Sequence, residues 1–445
     1  MKRPTEHRIK QILFWMLMAI MLLPMIHHLA NGKKVRPLKG AFQQTVKMDF
    51  KIDAWMDGSF QDNRTNYFNE NFGFRSMAVR LYNQMNFVLF KKSGAQEVVI
   101  GKENYLYEEN YIKAYLGINY LGRNTIVDKV EKLKVISDSL GKKGVKVITI
   151  LAPGKGSFYP EYIPDYYRRA SDTTLYDVWK AEIQKNNLLL LDLHQWFRNL
   201  KSKSPYPLFP KTGVHWSAYG EILAADTMVK FMETVANQNF VNILIDSIQL
   251  STTTQHTDQD AEESLNLLTD IPDLEMAYPQ YHFSNSKEEI RPNVIFISDS
   301  YYWGIYGRGI AANLFNNNAF WYYFHEVYNP AGGPFKIEPK DLIQALESAD
   351  FVVLMSTDAN LEKFAFGFIE TTYRQITNPN FLNEQSEKRE MMIQEFIFYI
   401  KSSPDWLKAV EQKAKDRNIS LEEAIRLDAE YMADQELKKQ EASTN

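Results

Sequence analysis

Three short runs of almost unbroken apolar residues constrain this chain more than anything else in it: residues 145–151 (VKVITIL), 293–297 (NVIFI) and 351–355 (FVVLM). A strand with one wet face alternates apolar and polar side chains, whereas a run that is apolar throughout must be covered on both faces. Residues 188–191 form a fourth such run. Between these runs lie segments of helical periodicity at 126–140, 177–185, 217–235, 304–315 and 340–347, with Ser217 as the N-cap of the third. Strands alternating with helices predict an α/β fold, a wound parallel sheet with helices on both faces. In such a sheet the reactive residues sit in loops at the carboxyl ends of the strands.

The ends of the chain read differently. Lys2, Arg3, Arg8 and Lys10 precede an apolar run at 12–26, and Lys33, Lys34 and Arg36 follow it. The run alone spans about 22 Å as a helix, and interfacial residues on either side bring it near the length a bilayer requires. A cleaved signal peptide and an uncleaved anchor both fit. No A-x-A cleavage site stands out, so residues 1–30 are read as a cytoplasmic start and signal anchor, with the rest of the chain outside the inner membrane.

Residues 31–60 read as a linker and a first docking segment. Phe74, Met77, Leu81, Met85 and Val88 predict an amphipathic helix within 67–90, and VVIGKENYLY (98–107) predicts a hairpin. A polar stretch at 251–273, within an insertion of about 250–285, reads as a surface excursion from an α/β domain over 31–380. Residues 381–445 are charged and helical and read as an appended helical hairpin, with a capping-box start at Ser420.

Composition narrows the chemistry. With 445 residues, 45% of them hydrophobic, the chain can build a large core, and a formal charge of −4 without a basic cluster gives no nucleic-acid footprint. The chain has no cysteine, hence no disulfide and no thiolate metal site. No metal-ligand spacing appears, APGKGS (152–157) lacks the glycine spacing of a phosphate loop, and no cofactor is expected.

The strand-end loops carry the unusual residues. Ser300 follows the run 293–297 and precedes a helix, where a tight turn would expose its oxygen and the helix start would offer N–H groups to an oxyanion. A helix-capping serine fits the same position. His215 stands beside Trp216 at a helix start and supplies the imidazole that a nucleophilic serine needs. A second histidine, in Asp192-Leu193-His194, is read as structural.

Several blocks, in order, resemble the SGNH-hydrolase-like (DHHW-type) domain of the AlgX/AlgJ alginate O-acetyltransferases. They are FNENFGFRSMAVRLYNQMNFVLF (68–90), IGKENYLY (100–107), APGKGSFYPEYIP (152–164), GVHWSAYG (213–220) and ISDSYYWG (297–304). The resemblance implies a three-layer, flavodoxin-like sheet with Ser300 as nucleophile and His215 as base. The family's acid lies two residues before the histidine, where this chain has Gly213. A backbone carbonyl or a carboxylate from a neighbouring strand end, Asp192, Asp358 or Asp299, is the candidate substitute.

The resemblance further implies acetyl transfer to a polysaccharide outside the inner membrane, with a membrane-bound O-acyltransferase as the donor partner. Substrate contacts are expected from Lys155, Trp216, Tyr301, Trp303 and Arg308, although Lys155 equally fits an internal salt bridge. Aromatic residues at 301–303 and 321–323, with His325, suit sugar rings or a core. An acetylesterase, and a catalytically weak glycan-binding or scaffold subunit favoured by Gly213, are the alternatives.

Overall fold

The computed structural model describes residues 3–29, 37–39, 45–378 and 384–444. Its strands are β1 (Val98–Ile100), β2 (Leu106–Glu108), β3 (Lys146–Ala152), β4 (Leu189–Asp192), β5 (Ile243–Ser251), β6 (Met276–Phe283), β7 (Val294–Ser298), β8 (Asn318–Tyr322), β9 (Glu326–Asn329), β10 (Gly332–Phe335) and β11 (Phe351–Thr357). Seven of them form one sheet in the order β10-β9-β8-β7-β11-β3-β4. The run from β8 to β4 is parallel, and β9 and β10 extend it antiparallel at one edge, an extension the sequence reading did not foresee.

The continuous apolar runs are the middle of this sheet, and their side chains alternate between two cores. On one face Ile148, Ile150, Phe296, Val353 and Met355 pack with the helix Ala218–Ala236. On the other, Val147, Leu151, Ile295, Ile297, Val352 and Leu354 pack with the helices Arg123–Gly141, Leu175–Lys185 and Phe368–Thr377. Each buried aliphatic side chain contributes about 1.5–3 kcal/mol relative to exposure, so both faces must be covered for these strands to hold. This is the three-layer α/β arrangement.

Ser217 caps the helix Ala218–Ala236 by accepting from Gly220 N–H at 3.0 Å. The helix expected at 304–315 is broken into Trp303–Gly307 and Ile310–Leu314 by Gly309, whose φ of +75° is left-handed. The helix expected within 67–90 is likewise two, Ser59–Asn71 and Arg75–Phe90. The insertion is an antiparallel pair, β5 with β6, and the chain between those strands folds back over the crest of the sheet. Where a C-terminal hairpin was expected, three helices stand (Glu384–Ser402, Pro404–Arg417 and Leu421–Thr444) around their own small core of Ile393, Ile400, Val410 and Ile425. The boundary expected at 380/381, and most of the lead-in at 31–44, fall outside the described residues. An N-terminal helix, Arg3–Leu29, includes the apolar stretch His7–His27, 21 residues long, of which none is buried. That length corresponds to about 32 Å, enough to cross a bilayer's hydrocarbon core.

Candidate active site

Ser300 opens a 3-10 turn directly beyond β7, and Asp299 caps that turn by accepting from Tyr301 N–H at 3.2 Å. The other oxygen of Asp299 accepts from the backbone N–H and the hydroxyl of Thr357 and from the Asn360 amide, each at 2.9 Å. Asp299 is fully buried and ties the Ser300 turn to the end of β11. It does not reach the histidine.

Ser300 Oγ lies 2.9 Å from His215 Nε2, and His215 Nδ1 lies 2.5 Å from Oδ2 of Asp260. The carboxylate behind the histidine is therefore Asp260, a residue of the insertion, and none of the candidates Asp192, Asp358 and Asp299. Asp192 caps the helix Leu193–Leu200 and bonds Tyr176 and Lys180. Asp358 is buried against Ser157 and His194.

Gly213 explains the relocation. A Cβ at that position would lie 2.7 Å from the carbonyl oxygens of both Thr257 and Asp258. The insertion crosses the histidine loop so closely that no side chain fits where the related pattern carries its acid. The same crossing brings Asp260 over the ring. Its Oδ1 accepts from Val214 N–H at 2.7 Å, so one carboxylate fixes both the loop backbone and the imidazole. Thr212 donates to Asp258 O at 3.2 Å, Glu262 N–H donates to Thr212 O at 3.1 Å, and Asp273 accepts from the N–H groups of Lys211 and Thr212. The stretch expected to be a surface excursion is thus built into the site, with Asp258 and Leu265 buried.

Lys155 is also part of this scaffold. It is fully buried and donates to Lys211 O at 2.7 Å and Gly213 O at 2.6 Å, so it clamps the histidine loop and cannot touch a polymer. Burial pushes its pKa down to about 7, against the pull of Asp273 and Asp260. Trp216 is buried against Phe197 and Tyr301, and Tyr301 donates to Val214 O at 3.0 Å while its ring lies 4.8 Å from that of His215. These two expected substrate contacts are core residues that hold the imidazole. Trp303, partly buried, packs on Phe320, Tyr322 and Tyr328. Arg308 pairs with the buried Glu221 at 2.9 Å, and Gly304 leaves the room that the Glu221 carboxylate fills. Trp321 is core, whereas Tyr322, Tyr323 and His325 line a cavity of about 940 Å³ together with Phe398 and Tyr399.

The electrostatics suit a base. Burial disfavours the charged ring of His215, but Asp260, aided by Glu108 and Asp299, outweighs it and leaves the pKa above its ordinary value. With Nδ1–H donated to Asp260, the Nε2 lone pair faces the serine hydroxyl, as removal of its proton requires. The side chains of His215 and Asp260 are 21% and 28% exposed, so the cluster is open to a substrate. Glu108 and Asp260 were missed from sequence; neither belongs to a motif, and only the glycine at 213 signalled that another segment approaches there.

Residues 98–284 match the family described as the SGNH hydrolase-like domain of the acetyltransferase AlgX. The match includes His215 and Asp260 and ends before Ser300. The probable alginate O-acetylase AlgJ of Pseudomonas syringae pv. tomato is 24% identical over 173 residues, 39% of this chain and 42% of that protein. Its counterpart in Pseudomonas aeruginosa is 26% identical over 180 residues, 39% of this chain and 44% of that protein. The chain thus spans less than half the length of these curated relatives. Among solved structures, the O-acetyltransferase domain of Pseudomonas putida AlgJ aligns with a TM-score of 0.41 at 15% identity, over 62% of this chain and 99% of that one. Pseudomonas aeruginosa AlgX aligns with a TM-score of 0.39 at 11% identity, over 62% of this chain and 67% of that one. Over residues 98–284 the chain is thus similar to the SGNH hydrolase-like domain described for the acetyltransferase AlgX.

Proposed function

We propose that this chain transfers acetyl groups to hydroxyls of an exported polysaccharide, through an acetyl ester on Ser300. The observation that carries the reading is the unbroken chain from Asp260 through His215 to Ser300. His215 Nε2 takes the hydroxyl proton as Oγ attacks the acetyl carbonyl. The backbone N–H of Ser300, at the start of its turn, serves the oxyanion. Collapse of the tetrahedral intermediate releases the donor's leaving group, which takes the proton back from His215. A sugar hydroxyl then gives its proton to His215 and attacks the ester, and Ser300 leaves with that proton. Asp260 holds the ring and stabilises its charge in each half.

The curated relatives support the acceptor class, since they bear the name alginate O-acetylase. The aromatic lining of the cavity, with Tyr322, Tyr323 and Phe398, suits sugar rings, and one of its residues, Tyr323, donates its N–H to Ser298 O at 2.9 Å. We place the domain outside the inner membrane on a single-pass anchor, His7–His27, with a membrane-bound O-acyltransferase supplying acetyl. With Asp260 in place, the vacancy at Gly213 no longer favours an inactive scaffold. The full-length protein is to be incubated with an acetyl-ester donor, with and without a polyuronate acceptor. Acetylated polymer from the wild type but not from Ser300→Ala supports the transferase. Acetate release that the polymer does not compete with identifies an esterase. Turnover equal to that of Ser300→Ala sinks both.

A further inference from the structure

The helix Arg75–Phe90 docks through Phe87 and polar side chains and leaves most of its apolar stripe outside. Its polar side chains face the protein: Arg80 and Asn83 are buried and donate to the carbonyls of Leu267 and Leu265, and Gln84 accepts from the N–H groups of Leu268 and Thr269. Its apolar stripe faces outward, with Met77, Leu81, Met85 and Val88 each about half exposed (48%, 51%, 53% and 57%). Leu89 and Phe90 extend the stripe at 63% and 71%. The inner face is satisfied by these hydrogen bonds, whereas the exposed apolar stripe is unfavourable in water.

Three observations say what covers the stripe. The start of this helix touches the N-terminal apolar helix: a Cβ on Gly73 would meet the Pro24 carbonyl, and the Phe74 and His27 rings lie 4.0 Å apart. The stripe therefore begins where the anchor ends. From 71 to 96 the chain has no acidic residue, and with Arg80 turned inward it still presents Arg75, Lys91 and Lys92, the charge that suits an anionic lipid surface. Earlier in the chain the helix Ile52–Met56 likewise exposes Ile52, Trp55 and Met56, with a Trp55–Phe50–Phe60 ring cluster of the kind that settles at headgroup level.

We propose that the helix Arg75–Phe90 lies in the outer leaflet's interface as a second membrane contact, with the bilayer as its partner. This inference rests on the anchor reading of His7–His27. Its consequence is functional, because the polar face of this helix grips 265–269, within the same insertion that carries Asp260. The lipid surface and the triad acid are then joined by one rigid element, which fixes the height of Ser300 above the membrane.

The absence of cysteine makes the test direct. Single-cysteine variants of the full chain, Leu81→Cys and Met85→Cys, are labelled with an environment-sensitive fluorophore in nanodiscs of phosphatidylcholine and phosphatidylglycerol. Met21→Cys, in the anchor, and Glu131→Cys, on an exposed helix of the domain, serve as references. An interfacial helix sits about 5–10 Å into the headgroup boundary, so lipids spin-labelled near the headgroup should quench Leu81→Cys and Met85→Cys several-fold more than Glu131→Cys. Quenching no greater than that of Glu131→Cys, with Met21→Cys quenched, overturns the inference and leaves the anchor standing. An unquenched Met21→Cys overturns both.

Discussion

Two serine–histidine–carboxylate clusters stand at the carboxyl ends of the same sheet. In one, Ser300 and Asp260 flank His215, whose two ring nitrogens each meet one partner. In the other, Ser157 and His194 flank Asp358, with the serine on the carboxylate and His194 Nε2 at 3.4 Å. The first is open to solvent; in the second, His194 and Asp358 are 3% and 4% exposed and the imidazole is stacked 3.8 Å from Tyr176. A histidine in the middle accepts a proton on one side while its charge is stabilised on the other. A carboxylate in the middle accepts from the serine itself and leaves the imidazole no hydroxyl to deprotonate. Residue type is therefore a weaker guide to chemistry than which residue is central and whether a substrate can reach it.

The largest effect expected is from His215→Ala, which removes the central base and should lower acetyl turnover by on the order of 10⁴-fold or more. Initial rates with an acetyl-ester donor, set beside Ser300→Ala, check this. Gly213→Asp restores the carboxyl where the related pattern has it, yet should fail to rescue an Asp260→Ala background, because its Cβ would collide with the Thr257 and Asp258 carbonyls. Recovery of turnover in that double variant would show that the insertion yields. Lys155→Met leaves the carbonyls of Lys211 and Gly213 without their donor, at about 1–3 kcal/mol each, and should lower both the urea midpoint and turnover. The smallest effect on rate is expected at the other cluster: His194→Gln should leave turnover within about twofold while costing about 1–3 kcal/mol of stability. A large loss of rate at unchanged stability would mean that the buried cluster takes part in the chemistry.

The middle strands were legible because their burial on both faces is written into consecutive residues, as in residues 145–151 and 351–355. The Ser217 cap was legible because capping is local, with a 3.0 Å bond three residues away. Ser300 and His215 were legible as a strand-end and a helix-start residue, but a capping serine and a structural histidine fit those places equally, and their pairing came mainly from the resemblance of the ordered motif blocks. Asp260 did not, because its place depends on a close crossing of two segments 45 residues apart in sequence, and no periodicity records that. The aromatic residues misled for a related reason. Trp216 and Tyr301 near a reactive pair suit a sugar, but their rings fill the core behind His215. Periodicity likewise predicted a striped helix around 74–88 without saying that the stripe would face outward.

The account turns on Asp260, and its pH dependence examines that residue most directly. In the proposed mechanism the neutral imidazole is the base, so activity should fall as pH drops through the His215 pKa, which Asp260 holds above the ordinary value. Asp260→Asn removes that support and leaves burial opposed only by Glu108 and Asp299. The rate should fall by on the order of 10³–10⁴-fold, and the acid limb of the residual kcat/KM profile should move to lower pH, with the fold intact by circular dichroism. A rate within a few-fold of wild type and an unmoved acid limb, while Ser300→Ala and His215→Ala abolish turnover, would contradict Asp260 as the triad's acid.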